Sequence, residues 1–488
     1  MTVLGMDLDR FNVSIKDRKA ILVIALVNTL VFFTIWVMEL QFGFRPTERV
    51  GWFFYGNDAH SYLDPIESLI SNGTYAMPSG PTAFRMPGFL PFYGPFYALF
   101  GKTIGLHIFS IINLFFTIGT GVLIYKLAKR HVWFIGALLL AVGFALFPRL
   151  TSYGYLGASE TIAAFSLTAA VYYFVKWFDQ PKSITAFKVS IFLTMLLMLK
   201  PIAILLFIIL GIIVLIRSVT TKAGLKSLMV VCFYFFIVPS VCISAWTARN
   251  YIAFDKFIPL TPTLSSKGAD QAFRSFCRRT GLQFQSWQGS DARVWFLHER
   301  HKMYDADYAN SNPFPDYLFT SKFNYDTLVD LRNDWHRQMS EKNEVESSRL
   351  DAQIESRFWT YSQSFIDEHP FHFLVTIRFV FLKDFILIRD SFSPFKQNTL
   401  FFKALRAHYF LTYYAIVLAF LLGIISLYFK RNRSAYFIVV TAVVFVLLHV
   451  AMGRIENRYL MPATPLFVLG LALFIDSISN RFQLKTKG

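Results

Sequence analysis

The chain has 488 residues, 55% of them hydrophobic, 18% aromatic and only 16% charged, whereas a soluble domain carries about a quarter charged residues. Apolar runs of about 20 residues, the length that crosses a bilayer, recur along it, which excludes a soluble globular enzyme and predicts an all-α polytopic membrane protein. Three cysteines exclude a disulfide framework, and the net charge of +17 must be placed by side of the membrane before it is read as a polyanion-binding surface.

In chain order, the first apolar run, 20–38, is too long for a signal-peptide core and lacks a small-residue cleavage site, so it is kept as a span. Residues 39–103 follow as a first outer loop, in which the proline-broken PGFLPFYGPFYALFG (87–101) predicts a helix at the outer surface or partly buried. Further spans are predicted over 104–125, 131–148, 156–178, 186–200, 201–217 and 226–246, and then over 406–429, 434–453 and 460–479. With these ten spans the basic loops KDRK, KLAKRH, RSVTTKAGLK and KRNR fall on one side. Positive loops stay cytoplasmic, so both termini are expected inside. The long segment 247–370 is then outside. It holds 15 Lys+Arg against 17 Asp+Glu, so the positive excess lies in the membrane part and its inner loops, which removes a nucleic-acid partner. Its second half reads as one or two charged helices closed by Pro370. The stretch 371–389 has span length but is interrupted by Arg378, Lys383 and Asp384, and is read as a helix at the outer interface. The expected organisation is a transmembrane module 1–246 with a catalytic first outer loop, an outer segment with its interfacial helix over 247–405, and C-terminal spans over 406–488.

The remaining charges gather at the outer rim. Asp58 and Arg85 sit in the first outer loop, Arg149 after the third span, and Glu160 one turn into the fourth. Lys200 ends the fifth span, Arg249 and Asn250 follow the seventh, and Arg454, Glu456 and Arg458 precede the tenth. Each has a bland reading. Arg149 is a snorkelling anchor, Lys200 before Pro201 ends a helix, Glu160 pairs with a base, and Asp58 caps a helix. His60 and Asp64 have the i, i+4 spacing of a metal pair, but no third ligand is near in sequence, so solvated side chains are favoured and a divalent metal stays open. Taken together the rim charges are harder to dismiss, because unrelated anchors would scatter over both faces. Charge at the edge of hydrocarbon has a paired or functional reason.

At these residues the sequence resembles the GT-C membrane glycosyltransferases, in particular the protein-mannosyltransferase-like and aminoarabinose-transferase-like branch. The pieces that carry the resemblance are GNDAHSYLDPIESLISNGTY, RMPGFLPFY, SYGYLGASETIAAF, LKP, SAWTARNYIAFDKFIPLTP and NRYLMPATPL, running in order from residue 56 to 466. The resemblance implies a polyprenyl-phosphate-linked sugar donor used on the outer face of a bacterial inner membrane, with an acidic residue of the first outer loop, here Asp58, as catalytic base. A lipid, glycan or protein would be the acceptor.

The residue chemistry is consistent with that. A lipid phosphate is a stable anionic leaving group that needs cations more than an acid, and Arg85, Lys200, Arg249 and Arg458 are the candidates. The attacking hydroxyl needs one carboxylate as base, Asp58, with Glu160 orienting it or a neighbour. Attack opposite the leaving phosphate inverts the anomeric centre. His60, Arg149, Asn250, Glu456 and Tyr459 are further candidates for substrate contact. The alternative is a transporter or lipid flippase, which would place its polar site near midplane at broken, repeat-related helices; no internal repeat is visible.

Overall fold

The structure is a computed structural model describing residues 14–42, 48–55, 57–220, 225–261, 268–282, 295–296, 314–387, 399–429, 433–453 and 457–485. The chain divides into two compact units, one of Met1–Thr261, Ser391–Phe445 and Leu460–Gly488, the other of Pro262–Asp390 and Val446–Tyr459.

The first unit opens with the apolar helix α1 (Ile15–Phe42), followed by a hairpin of β1 (Glu48–Val50) and β2 (Phe53–Tyr55). Next come α2 (Asn57–Asn72) and a two-residue hairpin of β3 (Ala76–Met77) and β4 (Gly80–Pro81). Helices α3 (Leu90–Ala128), α4 (Phe134–Ala145), α5 (Pro148–Ser152), α6 (Glu160–Asp179), α7 (Ser183–Leu199), α8 (Ile204–Thr220) and α9 (Leu225–Phe254) follow.

By length and composition six described helices are able to cross a bilayer: Ile15–Gln41, Leu90–Ala128, Glu160–Asp179, Met229–Phe254, Leu400–Phe429 and Arg458–Ser479. The pair α4 and α5, bent by 50°, makes a seventh, and three shorter apolar helices cover Ser183–Leu199, Pro201–Arg217 and Ala435–Ala451. The protein is an all-α polytopic integral membrane protein.

Prolines and one glycine set the breaks. The separate helices expected at 87–101 and 104–125 are the two parts of α3, which is broken at Gly101 with φ 73° and ψ −178°, a conformation that costs a residue with a Cβ. The expected span 131–148 holds α4, and the chain bends by 50° at its end, before α5. Phe147 precedes Pro148 and is held extended (ψ 104°), because the proline ring crowds a helical conformation in the residue before it. The same effect ends α7: Lys200, before Pro201, is extended (φ −136°, ψ 90°). Helix α9 runs eight residues beyond the expected end at 246, so Arg249 and Asn250 lie in its last turns and not after it.

Helix α6 packs against α3 and α7 and is mostly buried, whereas α1 and α9 leave most of their apolar side chains outward, as lipid-facing helices do. Two C-terminal helices, Leu400–Phe429 and Thr464–Lys485, cross at glycines. A Cβ on Gly470 would stand 2.2 Å from the Ala419 carbonyl oxygen, and one on Gly423 2.8 Å from the Gly470 Cα. Small residues let membrane helices approach backbone to backbone. Gly470→Ala is therefore expected to destabilise the detergent-solubilised chain by roughly 1–3 kcal/mol of overpacking, seen as a lower thermal midpoint. Gly143→Ala, where a Cβ meets nothing within 4 Å, should be neutral or stabilising. Equal effects of the two substitutions on the midpoint would refute the close crossing.

The second unit has a core of its own. Helices Ala269–Thr280, Tyr325–Ser340 and Glu344–Glu368 enclose Phe273, Phe276, Leu328, Leu331, Trp335, Ile354, Phe358 and Tyr361. Asn324 caps the second helix by accepting from the Thr327 amide at 3.0 Å, and Asn343 caps the third by accepting from Val345 at 3.0 Å and Glu346 at 3.3 Å. The charged stretch read as one or two helices is thus two. Beyond Pro370 the chain resumes as a π-helical turn, His372–Thr376, and a helix over Ile377–Ile386.

Candidate active site

Helix α2 carries Asp58 in its first turn. The Arg85 guanidinium comes back along the loop before α3 and lies 3.4 Å from the Asp58 carboxylate. Its Nε donates to the Ser61 hydroxyl at 3.2 Å, and that hydroxyl donates to the Asp58 carbonyl at 2.7 Å. Arg85 is also sandwiched between rings, 4.5 Å from the centroid of Tyr62 and 4.7 Å from that of Phe84, contacts of about 0.5–2 kcal/mol each. The Asp58 side chain is 36% exposed and that of Arg85 25%, so the carboxylate is fixed beside a cation yet reachable.

The start of α6 is built against α2. Gly157, at φ +62°, lies in the turn before it, and a Cβ there would come within 2.7 Å of the Ala59 Cβ; only glycine combines that backbone with that proximity. The Ser159 hydroxyl meets the Tyr62 hydroxyl at 3.2 Å. Next to it Glu160 accepts a hydrogen bond of 3.0 Å from the Lys200 amine, with side-chain exposures of 4% and 9%. The end of α7 that carries Lys200 also touches the loop of Arg85: a Cβ on Gly88 would fall 2.6 Å from the Met198 carbonyl oxygen. Asp58, Arg85, Glu160 and Lys200 are therefore joined by direct contacts among α2, the pre-α3 loop, α6 and α7.

Arg249, expected as a phosphate ligand, has protein partners on both terminal nitrogens. One of its terminal nitrogens donates to the Thr82 carbonyl at 2.7 Å and to Asn250 Oδ1 at 2.9 Å, and the other donates to the Tyr75 carbonyl. The rings of Tyr75, Trp246 and Phe254 surround it. The Tyr75 hydroxyl in turn donates to the Arg85 carbonyl at 3.2 Å. Arg249 thus clamps the loop that carries Arg85. Asn250, fully buried, donates to the Ile258 carbonyl at 2.9 Å and holds the turn after α9. Lys200, also expected as a phosphate ligand, directs its amine to Glu160.

Arg149 donates to the Tyr409 hydroxyl at 2.7 Å, tying α5 to the helix Leu400–Phe429. Arg458 and Tyr459 belong to the second unit, where Arg458 donates to the Tyr459 hydroxyl at 3.3 Å and the Tyr459 ring stacks on His449. Arg454 and Glu456 lie outside the described residues. His60 and Asp64 bond to each other at 2.9 Å, and among the described residues no group of three His, Cys, Asp or Glu side chains is placed to hold a metal.

The sequence reading missed a second polar network on the opposite face of α2. Tyr55 donates to Asp64 at 2.8 Å and lies 3.3 Å from Glu67, which accepts from Tyr93 at 2.7 Å and from Lys102 at 3.0 Å. Burial first, and then the charges of Glu67 and Asp64, raise the Tyr55 phenol far above its ordinary value, so it stays protonated and donates. The signal was in the spacing: positions 60, 64, 67 and 71 share one helical face, whereas 58, 61 and 62 share another.

No family model matches the chain, and no curated protein matches it. Solved structures of AglB and ArnT are similar to it. The archaeal oligosaccharyltransferase AglB from Archaeoglobus fulgidus, in complex with an inhibitory peptide and a dolichol-phosphate, is 12% identical, with a TM-score of 0.49 over 99% of this chain and 52% of that one. The apo form of the Archaeoglobus fulgidus oligosaccharyltransferase is 13% identical, with a TM-score of 0.49 over 96% and 51%. ArnT from Cupriavidus metallidurans, bound to undecaprenyl phosphate, is 11% identical, with a TM-score of 0.37 over 93% and 77%. The chain spans about half the length of the oligosaccharyltransferase structures.

Proposed function

We propose that the protein transfers a sugar from a polyprenyl-phosphate-linked donor to a hydroxyl acceptor at the outer face of the membrane, with inversion, and that Asp58 is the general base. The observation that carries this reading is the accessible Asp58 carboxylate held 3.4 Å from the Arg85 guanidinium. A carboxylate within about 3 Å of an acceptor hydroxyl takes its proton as the oxygen attacks the anomeric carbon. The C–O bond to the phosphate breaks as the new glycosidic bond forms, and the electron pair leaves with the phosphate oxygen. Arg85 stabilises that charge; its planar fork suits two phosphate oxygens. Tyr62 and Phe84 fix the plane of the guanidinium, and Arg249 fixes its loop. The Glu160–Lys200 pair, linked to α2 through Ser159 and Tyr62, holds the carboxylate's helix in place.

Proteoliposomes containing the full chain and undecaprenyl-phosphate-linked hexose or pentose test this. Release of undecaprenyl phosphate with an inverted product is expected. Labelled lipid crossing between leaflets without sugar release would replace this reading with a flippase.

A further inference from the structure

The turn of the first hairpin, Gly51–Trp52, is built like a segment that leaves water. Trp52 is 44% exposed, yet both of its main-chain polar groups are satisfied by ring nitrogens. Its N–H donates to His107 Nε2 of α3 at 3.1 Å, and its carbonyl accepts from Trp36 Nε1 of α1 at 3.0 Å. In water, solvent satisfies such groups; at a lipid boundary the protein must. The Trp52 ring is stacked 4.6 Å from that of His107 and lies 5.8 Å from that of Trp36. Gly51, at φ +60°, abuts the same imidazole, which a Cβ there would overlap.

These contacts continue the lipid-facing surface of α1. Leu22, Leu26, Leu30, Phe33 and Val37 form an exposed apolar stripe along that helix, spaced by three and four residues. Phe33 meets Trp36 at 6.3 Å, so the stripe runs into the hairpin turn. The height fits as well. Lys16, Arg18 and Lys19 mark the first end of α1, and about 20 residues of helix cross the hydrocarbon, which puts the opposite boundary within a turn of Trp36. Tryptophan settles at that boundary. Arg49, exposed, donates to the Leu40 carbonyl near the end of α1 at 3.2 Å and brings a positive charge to the level of headgroup phosphates.

We propose that the Gly51–Trp52 turn is a membrane anchor, seated at the headgroup–acyl boundary of the leaflet on the Asp58 side, with lipid as its partner and Trp52 as the immersed side chain. Strand β2 leads from this turn to the start of α2, so the anchor sets the depth of Asp58. It stands without the transfer reading, and its test needs no turnover.

Power saturation of a nitroxide at Trp52→Cys tests this, in the full chain with Cys232→Ser, Cys242→Ser and Cys277→Ala, in dioleoylphosphatidylcholine liposomes. Collision with a water-soluble nickel chelate is expected to be several-fold below that of the same label on a soluble peptide. It should be close to that at Val37→Cys and above that at Leu26→Cys. Collision equal to that of the soluble peptide would overturn the anchor. Trp52→Phe, which keeps an aromatic ring in the turn, serves where the cysteine variant does not fold. The emission lost on that substitution belongs to Trp52, and it should be quenched in phosphatidylcholine brominated in the upper acyl chain. An unquenched difference would overturn the anchor as well.

Discussion

Asp58→Asn is expected to reduce sugar transfer by about 10²–10⁴-fold, the contribution typical of a positioned general base, while the chain folds and retains donor. The substitution is nearly isosteric. The amide oxygen still accepts from Arg85, so the local geometry of α2 and of the loop at Arg85 survives, and only the ability to take a proton is lost. The measurement is release of undecaprenyl phosphate from donor-loaded proteoliposomes, read beside donor retention on the purified variant. Loss of turnover with donor retained is the result expected of a base. Undiminished turnover would remove Asp58 from the chemistry, and a parallel loss of retention and turnover would make it a binding residue. Arg85→Ala should show that second pattern, since the guanidinium lies 3.4 Å from the carboxylate.

Breaking the Glu160–Lys200 pair is expected to have the largest effect on stability. Both side chains are buried and 3.0 Å apart. Removing one partner leaves the other as an uncompensated buried charge, at a cost of roughly 3–5 kcal/mol. Glu160→Gln and Lys200→Met should each lower the unfolding free energy by that amount in a detergent–SDS titration. Glu160→Gln/Lys200→Met should lose well under the sum, because two neutral side chains of similar volume no longer strand a charge. Residues in direct contact are where additivity fails. Additive losses would mean that the two side chains act separately and that the contact has no energetic content.

The sequence made the membrane class and the helical segments legible, because runs of apolar residues report burial in lipid directly. It also placed Asp58, Arg85, Glu160 and Lys200 in one list, through their shared position at outer span ends. What it could not supply was partnership. Lys200 and Arg249 were read as phosphate ligands because a base beside a predicted rim suggests an anion. The structure gives Lys200 a carboxylate 3.0 Å away and gives Arg249 two backbone carbonyls. Those partners are 40 and about 170 residues distant, a range that helical periodicity does not reach. The breaks at Phe147 and Lys200 were readable, since each precedes a proline, and the expected spans ended at 148 and 200. The network of Tyr55, Asp64, Glu67, Tyr93 and Lys102 was hidden because it joins three elements whose single polar residues look solvated one at a time.

The central claim is that Arg85 and Asp58 share one substrate, with the phosphate on the first and the acceptor hydroxyl at the second. An electron cryo-microscopy map of the full chain in nanodiscs loaded with undecaprenyl phosphate tests it most directly. The account predicts phosphate density within hydrogen-bond reach of the Arg85 guanidinium, on the side of α2 that bears Asp58. Phosphate density seated away from Arg85, with the Asp58–Arg85 contact unchanged, would contradict it.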